Sequence, residues 1–183
     1  MENLLKDYNK PKSSWSVGKT EFILTSKSPP ERLLEYILDF EYYTTYFPIQ
    51  IKDVKIIKHE NNEIITEEKI VFSTLVKNVI KQKSLHKKIS DKELITEIID
   101  GPAKGTIVNI SCKQIESGSE ISFIIDLKLS LKAKFLQPLI KKFYKRYLTA
   151  LILKINAREV DKQIKWLKKH QKLLIGKKNI CLN

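Results

Sequence analysis

The chain has 183 residues, of which 42% are apolar and 30% charged, and its formal net charge at pH 7 is +13. This composition excludes a disordered or collagen-like protein, and the length favours one domain with a sizeable core. Cys112 and Cys181 form neither a metal-ligand spacing nor a disulfide framework, and no apolar stretch is long enough to span a bilayer, which together favour a cytoplasmic protein.

The first elements predicted along the chain are a strand and two short helices. Residues 1–18 are polar and are expected to form a flexible N-terminal segment, without the apolar core of a signal peptide. Residues 19–26, KTEFILTS, alternate as a strand does. Residues 28–40 predict a helix, because Ser28 is a candidate N-cap and two prolines follow in the first turn. Residues 41–48 predict a second, short helix that ends at a proline.

The apolar period changes to two after residue 50, which predicts a run of strands. The six predicted strands are 51–58, 63–72, 75–89, 93–99, 106–115 and 120–132. Short polar turns join them, so neighbouring strands are expected to pair antiparallel. The last strand alternates apolar and polar residues almost throughout, which is typical of a sheet with one packed face and one solvated face.

A long amphipathic helix is predicted over residues 138–174, with Pro138 in its first turn. Apolar residues recur at helical spacing at Ile140, Tyr144, Tyr147, Leu148, Leu151 and Ile155. Such a helix would be roughly 55 Å long, whereas a domain of this size is about 40 Å across. We therefore expect it either to project beyond the domain or to bend near Asn156–Ala157.

This order of elements, with DGPAKG (100–105) before the penultimate strand, resembles the START-like, helix-grip (SRPBCC) superfamily. That superfamily includes the polyketide cyclase/dehydrase group and the coenzyme-Q-binding START proteins, and Gly101–Pro102 matches a Gly-Pro pair of the latter. The strand that follows, TIVNISC, departs from their pattern because it has no aromatic residue. The resemblance covers residues 19–160 and leaves 161–183 as a basic extension of the helix and a tail.

The resemblance implies an α+β helix-grip fold. In this fold a curved seven-stranded antiparallel sheet wraps around the long C-terminal helix, and two short helices follow the first strand. The resemblance also implies an apolar cavity between sheet and helix. One domain, residues 19–160, would then contain the whole fold.

Candidate ligand-binding residues follow from placing the charged strand residues outward, which turns apolar residues and a few polar ones toward the helix. They are Tyr36, Phe40, Phe47, Thr66, Glu68, Asn78, Gln82, His86, Phe123, Tyr144 and Leu148. A mostly apolar pocket with a few converging polar groups is the usual form of a small-molecule site. A register shift of one residue would turn the strand residues outward instead, and the position of His86 beside Lys87 and Lys88 favours the surface.

The excess positive charge lies entirely in residues 132–183, where 15 lysines and arginines face only Glu159 and Asp161. This asymmetry points to an anionic partner, either a membrane surface or RNA, although a solvated helix face would give the same pattern. The candidate contacts with an anionic surface are Lys141, Lys142, Lys145, Arg146, Lys165, Lys168 and Lys169.

The sequence contains no nucleophile elbow, HExxH motif, phosphate loop or dinucleotide fingerprint. We therefore predict no catalytic residue, no metal ligand and no cofactor, and favour a binding protein over an enzyme. The prediction is a protein that holds a lipid, isoprenoid or polyketide-like molecule between sheet and helix and carries it to or from membranes as a peripheral protein. Two alternatives remain open: a cyclase or dehydrase that uses the same cavity, and an RNA- or ribosome-associated module that uses the basic helix.

Overall fold

The structure is a computed structural model that describes residues 13–15, 19–71, 79–129 and 137–180, without the side chains of 13–15, 139 and 168–180. The strands are β1 (Ser13–Trp15), β2 (Lys19–Ser26), β3 (Ile51–Glu60), β4 (Glu63–Val71), β5 (Val79–Ser90), β6 (Glu93–Asp100), β7 (Ile107–Ile115) and β8 (Gly118–Asp126). The helices are α1 (Pro30–Leu38), a 3₁₀ turn (Phe40–Tyr42), α2 (Tyr43–Tyr46) and α3 (Gln137–Ile180).

The described strands form one antiparallel sheet in the order β1-β2-β8-β7-β6-β5-β4-β3. The first and last long strands, β2 and β8, lie side by side, and the two short helices connect β2 to the far edge at β3. This arrangement confirms the predicted α+β helix-grip fold, with seven long strands and the two short helices in their expected place. The three-residue strand β1 adds an eighth strand beside β2.

The Gly101–Pro102 connection between β6 and β7 requires its glycine. Gly101 has a backbone φ of +112°, which residues other than glycine rarely adopt. A Cβ atom there would lie 3.0 Å from the carbonyl oxygen of Lys81 on β5. The turn can therefore pass this close to the neighbouring strand only with glycine at that position.

Helix α3 packs its predicted apolar stripe against the sheet. Leu148, Leu151 and Ile155 are buried, as is Ile152 beside them. The helix is continuous across Asn156 and Ala157, so it does not end there. Residues 160–167 are exposed on every side, and 44 residues give a length of about 66 Å. The second half of α3 therefore extends beyond the sheet, which agrees with the expectation that a helix of this length projects beyond the domain.

No helix within the described residues is long and apolar enough to cross a membrane.

Candidate functional site

An inner polar cluster lies on the face of the sheet that packs toward α3. Its members come from β4, β5 and β6, and strand register brings them together in cross-strand pairs. Thr66 pairs with Ser84, Glu68 with Gln82, and His86 with Thr96. Side chains two residues apart on a strand share a face, so the six side chains lie on one surface. The inner polar cluster is Thr66, Glu68, Gln82, Ser84, His86 and Thr96.

Hydrogen bonds connect the inner polar cluster around the Glu68 carboxylate. The hydroxyl of Thr66 donates to Glu68 Oε1 at 2.6 Å, and the amide of Gln82 donates to Oε2 at 3.0 Å. The same amide nitrogen lies 3.3 Å from the Ser84 hydroxyl oxygen. The His86 ring lies between two hydroxyls, with Nε2 2.9 Å from Thr66 Oγ1 and Nδ1 3.0 Å from Thr96 Oγ1.

The electrostatics of this cluster keep Glu68 ionised. Burial alone would raise the pKa of Glu68, but the adjacent His86 ring, 3.8 Å away, and the hydrogen bond from Thr66 outweigh it, so the pKa lies below its usual value. An ionised carboxylate only accepts hydrogen bonds, so the single Thr66 hydroxyl hydrogen is used on Glu68. The Nε2–H group of His86 must then donate to Thr66.

Aromatic side chains cover the inner polar cluster. The ring of Phe40 lies 4.5 Å from that of His86, between centroids, and Tyr43 packs on Phe40 at 5.5 Å. From α3, the half-buried Tyr144 and Tyr147 pack against the core, and the ring of Tyr147 lies 4.6 Å from that of Phe47, between centroids. Burial is the main cause that raises the pKa of both tyrosines; the negative charge of Glu68 comes next for Tyr144, whereas Tyr43 and then Glu68 follow for Tyr147. The polar cluster therefore lies under a wall of rings contributed by the 3₁₀ turn, α2 and α3.

The end of the sheet–helix interface at Glu68 is not sealed. Glu68 keeps 15% of its side-chain surface exposed, and Tyr144 and Tyr147 are only half-buried. Hydrogen bonds from Thr66 and Gln82 occupy two of the roughly four acceptor positions of a carboxylate. A polar group that enters here can therefore still bind to Glu68.

The expectation that His86 lies at the surface is wrong. Its side chain is 7% exposed, because the β5–β6 register sets it opposite Thr96 on the inner face, where Phe40 covers it. The neighbouring lysines, Lys87 and Lys88, misled the interpretation, although Lys87 does point outward and pairs with Glu63. Strand alternation predicts the face on which His86 lies better than the charge of its neighbours in sequence does.

The other predicted ligand-binding residues are placed as follows. Thr66, Glu68, Gln82 and His86 belong to the inner polar cluster, and Phe40 packs on it at His86. Phe47 packs on Tyr147 at 4.6 Å between ring centroids, and Tyr144 is half-buried against the core. Phe123 is fully buried against Phe22, and Leu148 is part of the core. Tyr36 belongs to a second cluster, described next, and Asn78 lies outside the described residues. The sequence did not single out Thr96 or Tyr147 as site residues.

A second polar cluster, the helix clamp, fastens α3 to the short helices. It consists of Arg32, Tyr36, Asp39, Arg158 and Glu159. The Tyr36 hydroxyl donates to Glu159 at 2.6 Å, and the Arg32 guanidinium lies 3.0 Å from the other carboxylate oxygen. Arg158 pairs with Asp39 at 2.8 Å. Each charge of the helix clamp thus has an opposite charge, an arrangement typical of a structural contact.

The helix clamp alters the pKa of its own members. Burial raises the pKa of Tyr36 to about 12, with a further contribution from its bond to Glu159. Burial would raise the pKa of Glu159, but hydrogen bonds from Tyr36 and Arg32 outweigh it, so this pKa is lowered. Glu159 and Asp161 stand out in the sequence as the two acids of a basic segment, but the sequence does not identify the residues with which they pair.

The face of α3 that points away from the sheet combines charge with exposed apolar side chains. An outer stripe runs at intervals of four and three residues along this face, and all its members are exposed. The outer stripe is Leu153, Ala157, Val160, Ile164 and Leu167. One turn toward the N-terminus, Lys142, Lys145, Arg146, Thr149, Ala150 and Leu153 line a shallow depression of about 440 Å³.

This depression is on the opposite side of α3 from Glu68, so it is not the predicted inner cavity. Among the described residues, Lys142, Lys145 and Arg146 form no ion pair with an acid. Of the other predicted surface contacts, Lys141 is half-buried and Lys165 is exposed. The side chains of Lys168 and Lys169 lie outside the described residues.

Comparisons with solved structures identify the same fold. The chain is similar to the Zhui aromatase/cyclase from Streptomyces sp. R1128, with a TM-score of 0.64, 11% identity, and coverage of 76% of this chain and 94% of that one. It is also similar to a START superfamily protein from Mycobacterium smegmatis, with a TM-score of 0.61, 14% identity, and coverage of 76% and 95%. A third similar structure is Ara h 8.0201, with a TM-score of 0.60, 13% identity, and coverage of 75% and 96%.

No family model matches the sequence, and no curated protein does. At these levels of identity the similar structures establish the fold alone, which is the helix-grip fold that the resemblance implied. What the site does has to be argued from its own residues.

Proposed function

We propose that this chain binds a hydrophobic small molecule, of the lipid, isoprenoid or polyketide kind, between the sheet and α3. The observation that carries the proposal is the inner polar cluster. It presents a carboxylate whose pKa is lowered and whose acceptor positions are partly unused, among aromatic side chains, with 15% of its side-chain surface exposed. Apolar walls with a few oriented polar groups are what such ligand sites require.

The alternative, that Glu68 has only a structural role, explains the site less well. A buried carboxylate lowers the stability of a fold unless its interactions compensate for the lost hydration. Among the described residues Glu68 has no lysine or arginine partner, and His86 lies 3.8 Å away. A role in binding a ligand would explain why a carboxylate without a lysine or arginine partner lies at this position.

Retention of a ligand through purification tests this proposal. Native mass spectrometry of the protein, followed by organic extraction, should reveal a bound apolar molecule. Phe40→Leu should reduce retention several-fold, because the ring that covers His86 is lost. Tyr42→Leu is the matched control in the same 3₁₀ turn, since Tyr42 is 41% exposed. Absence of any bound molecule, together with failure to take up an apolar dye, would contradict the proposal.

Contact with an anionic membrane surface is the second part of the proposal. Lys142, Lys145 and Arg146 lack acidic partners among the described residues, and the outer stripe continues on the same face of α3. Each lysine or arginine near an anionic bilayer contributes about 1 kcal/mol at modest salt. Exposed Val160, Ile164 and Leu167 add apolar surface that can insert at the interface.

Sedimentation with lipid vesicles tests this contact. Vesicles with phosphatidylserine should bind the protein, and vesicles of phosphatidylcholine alone should bind it much less. Replacing Lys142, Lys145 and Arg146 with glutamine should weaken binding more than the same change at three exposed lysines elsewhere. The control lysines are Lys27, Lys92 and Lys113. Equal loss in both triple variants, or stronger binding to RNA at the same salt, would contradict membrane contact.

Acid–base catalysis of a cyclase or dehydrase reaction is a second candidate function. It is favoured by the bridge from His86 through Thr66 to Glu68, which connects an imidazole to a carboxylate through two hydrogen bonds. The molecules extracted from the wild type and from His86→Gln distinguish the two. Identical masses and identical chromatographic retention would support binding alone. A difference equal to one water molecule would support a dehydrase, and equal masses with different retention would support a cyclase.

A further inference from the structure

The hydrogen-bond donors of the inner polar cluster converge on the Glu68 carboxylate. Thr66 donates to Oε1 and Gln82 to Oε2. His86 Nε2 lies 3.8 Å from Oε1, and its hydrogen is used on Thr66. Within 19–71, 79–129 and 137–167, no lysine or arginine forms an ion pair with Glu68. What the cluster offers to an incoming group is therefore a negatively charged acceptor.

The facing wall offers hydroxyl groups. Tyr144 and Tyr147 are half-buried on α3 and pack against the core, where Phe47 lies 4.6 Å from Tyr147 between ring centroids. Neither hydroxyl is hydrogen-bonded to a described residue, whereas the Tyr43 hydroxyl already donates to the carbonyl oxygen of Ile37 at 2.7 Å. A hydroxyl that reaches both Glu68 and one of these tyrosines can donate to the carboxylate and accept from the phenol.

We propose that the site selects apolar molecules whose polar end is a neutral hydroxyl and excludes those that end in a carboxylate, an inference that rests on the proposed function. A hydroxyl supplies the donor that Glu68 lacks and the acceptor that Tyr144 or Tyr147 can use. A carboxylate supplies no donor, and it would place a second negative charge beside the first in a poorly hydrated space. Fatty acids are therefore disfavoured relative to alcohols of equal chain length.

Displacement of a hydrocarbon dye tests the selectivity. Diphenylhexatriene has no polar group, so its binding reports on apolar space regardless of Glu68. At neutral pH, 1-decanol should displace it from the wild type at a concentration at least about tenfold lower than decanoate does. In Glu68→Gln the two concentrations should come within about threefold of each other, chiefly because decanoate binds more tightly.

A matched control separates the site from overall charge. Glu67 is the preceding residue on β4, on the other face of the sheet, where it lies 4.0 Å from Lys83. Glu67→Gln makes the same chemical change and the same change in net charge, so it should keep the preference of the wild type for decanol. Glu68→Met provides a second test without an amide at the site, and circular dichroism confirms that each variant is folded.

The outcomes separate this inference from the function on which it rests. If the dye does not bind the wild type at all, both fail. If the dye binds and the two displacing compounds act equally on the wild type, ligand binding stands and the selectivity is wrong. If Glu67→Gln removes the preference as fully as Glu68→Gln does, net charge decides it and Glu68 has no special role.

Discussion

The helix clamp and the inner polar cluster are both groups of polar side chains between α3 and the rest of the fold, but they differ in how their charges are paired. In the helix clamp, Glu159 faces Arg32, and Arg158 faces Asp39. In the inner polar cluster, Glu68 is surrounded by neutral donors and one histidine. The clamp is complete without a ligand, whereas the inner polar cluster keeps unused acceptor capacity.

This difference separates a polar contact that holds a fold together from one that is available to a ligand. A fully paired buried group loses stability when one partner is removed, because the other partner remains buried without its counter-charge. A carboxylate held by neutral donors can be neutralised at small cost, because an uncharged residue needs less compensation for burial. Mutation of the two clusters should therefore have opposite consequences for stability and binding.

The largest effect is expected from Glu159→Ala in the helix clamp. The change leaves the Tyr36 hydroxyl and the Arg32 guanidinium without their acceptor, although Arg32 is 53% exposed and can be hydrated instead. The free energy of unfolding should fall by about 2 to 3 kcal/mol in urea denaturation. Asp161→Ala, at an exposed position two residues along α3, should change it by less than about 0.5 kcal/mol. Equal effects would show that the helix clamp does not fasten the helix.

A smaller loss is expected from Tyr36→Phe, which removes one hydrogen bond to the charged Glu159 and keeps the ring. The free energy of unfolding should fall by about 1.5 kcal/mol. Tyr42→Phe is the control, since its ring is partly exposed and its hydroxyl has no hydrogen-bond partner among the described residues. A loss in the control as large as in Tyr36→Phe would contradict the role assigned to the bond.

Acid should act on the helix clamp through Glu159. Because the folded-state pKa of Glu159 is lowered, its contribution to stability is complete above the ordinary glutamate pKa of about 4.3 and is lost as the pH falls through the folded-state value. A single group can contribute at most about 1.4 kcal/mol per pH unit. Urea unfolding measured over the acid range should give a shallower slope for Glu159→Gln than for the wild type. Identical slopes would contradict the prediction that Tyr36 and Arg32 stabilise the ionised form of Glu159 in the folded state.

The smallest effect on stability is expected from Glu68→Gln in the inner polar cluster. The amide can still accept from Thr66, and the buried charge is removed, so the free energy of unfolding should change by less than about 1 kcal/mol. Its effect should appear in ligand selectivity instead. Should Glu68→Gln destabilise the protein as much as Glu159→Ala, the distinction between the two clusters would be lost, and Glu68 would be structural.

Part of the candidate site could be predicted from the sequence because strand alternation is local. Thr66, Glu68, Gln82 and His86 share an inner face, as the period of two indicated. Alternation does not give position along the strand, so Phe123 was assigned to the same site although it packs on Phe22. Tyr36 was assigned there too, because the sequence indicates its position on the apolar face of a helix but does not indicate its hydrogen-bond partner, Glu159 on α3.

The sequence by itself determined the order of elements, the inner and outer faces of the strands, and the amphipathic stripe of α3, since these follow from the spacing of apolar residues. Only the tertiary structure decided which charges meet. Arg32 and Glu159 are 127 positions apart, and their pairing depends on how α1 and α3 cross. It also decided that the charge of Glu68 lacks a lysine or arginine partner among the described residues, because burial and neighbours are properties of the packed chain.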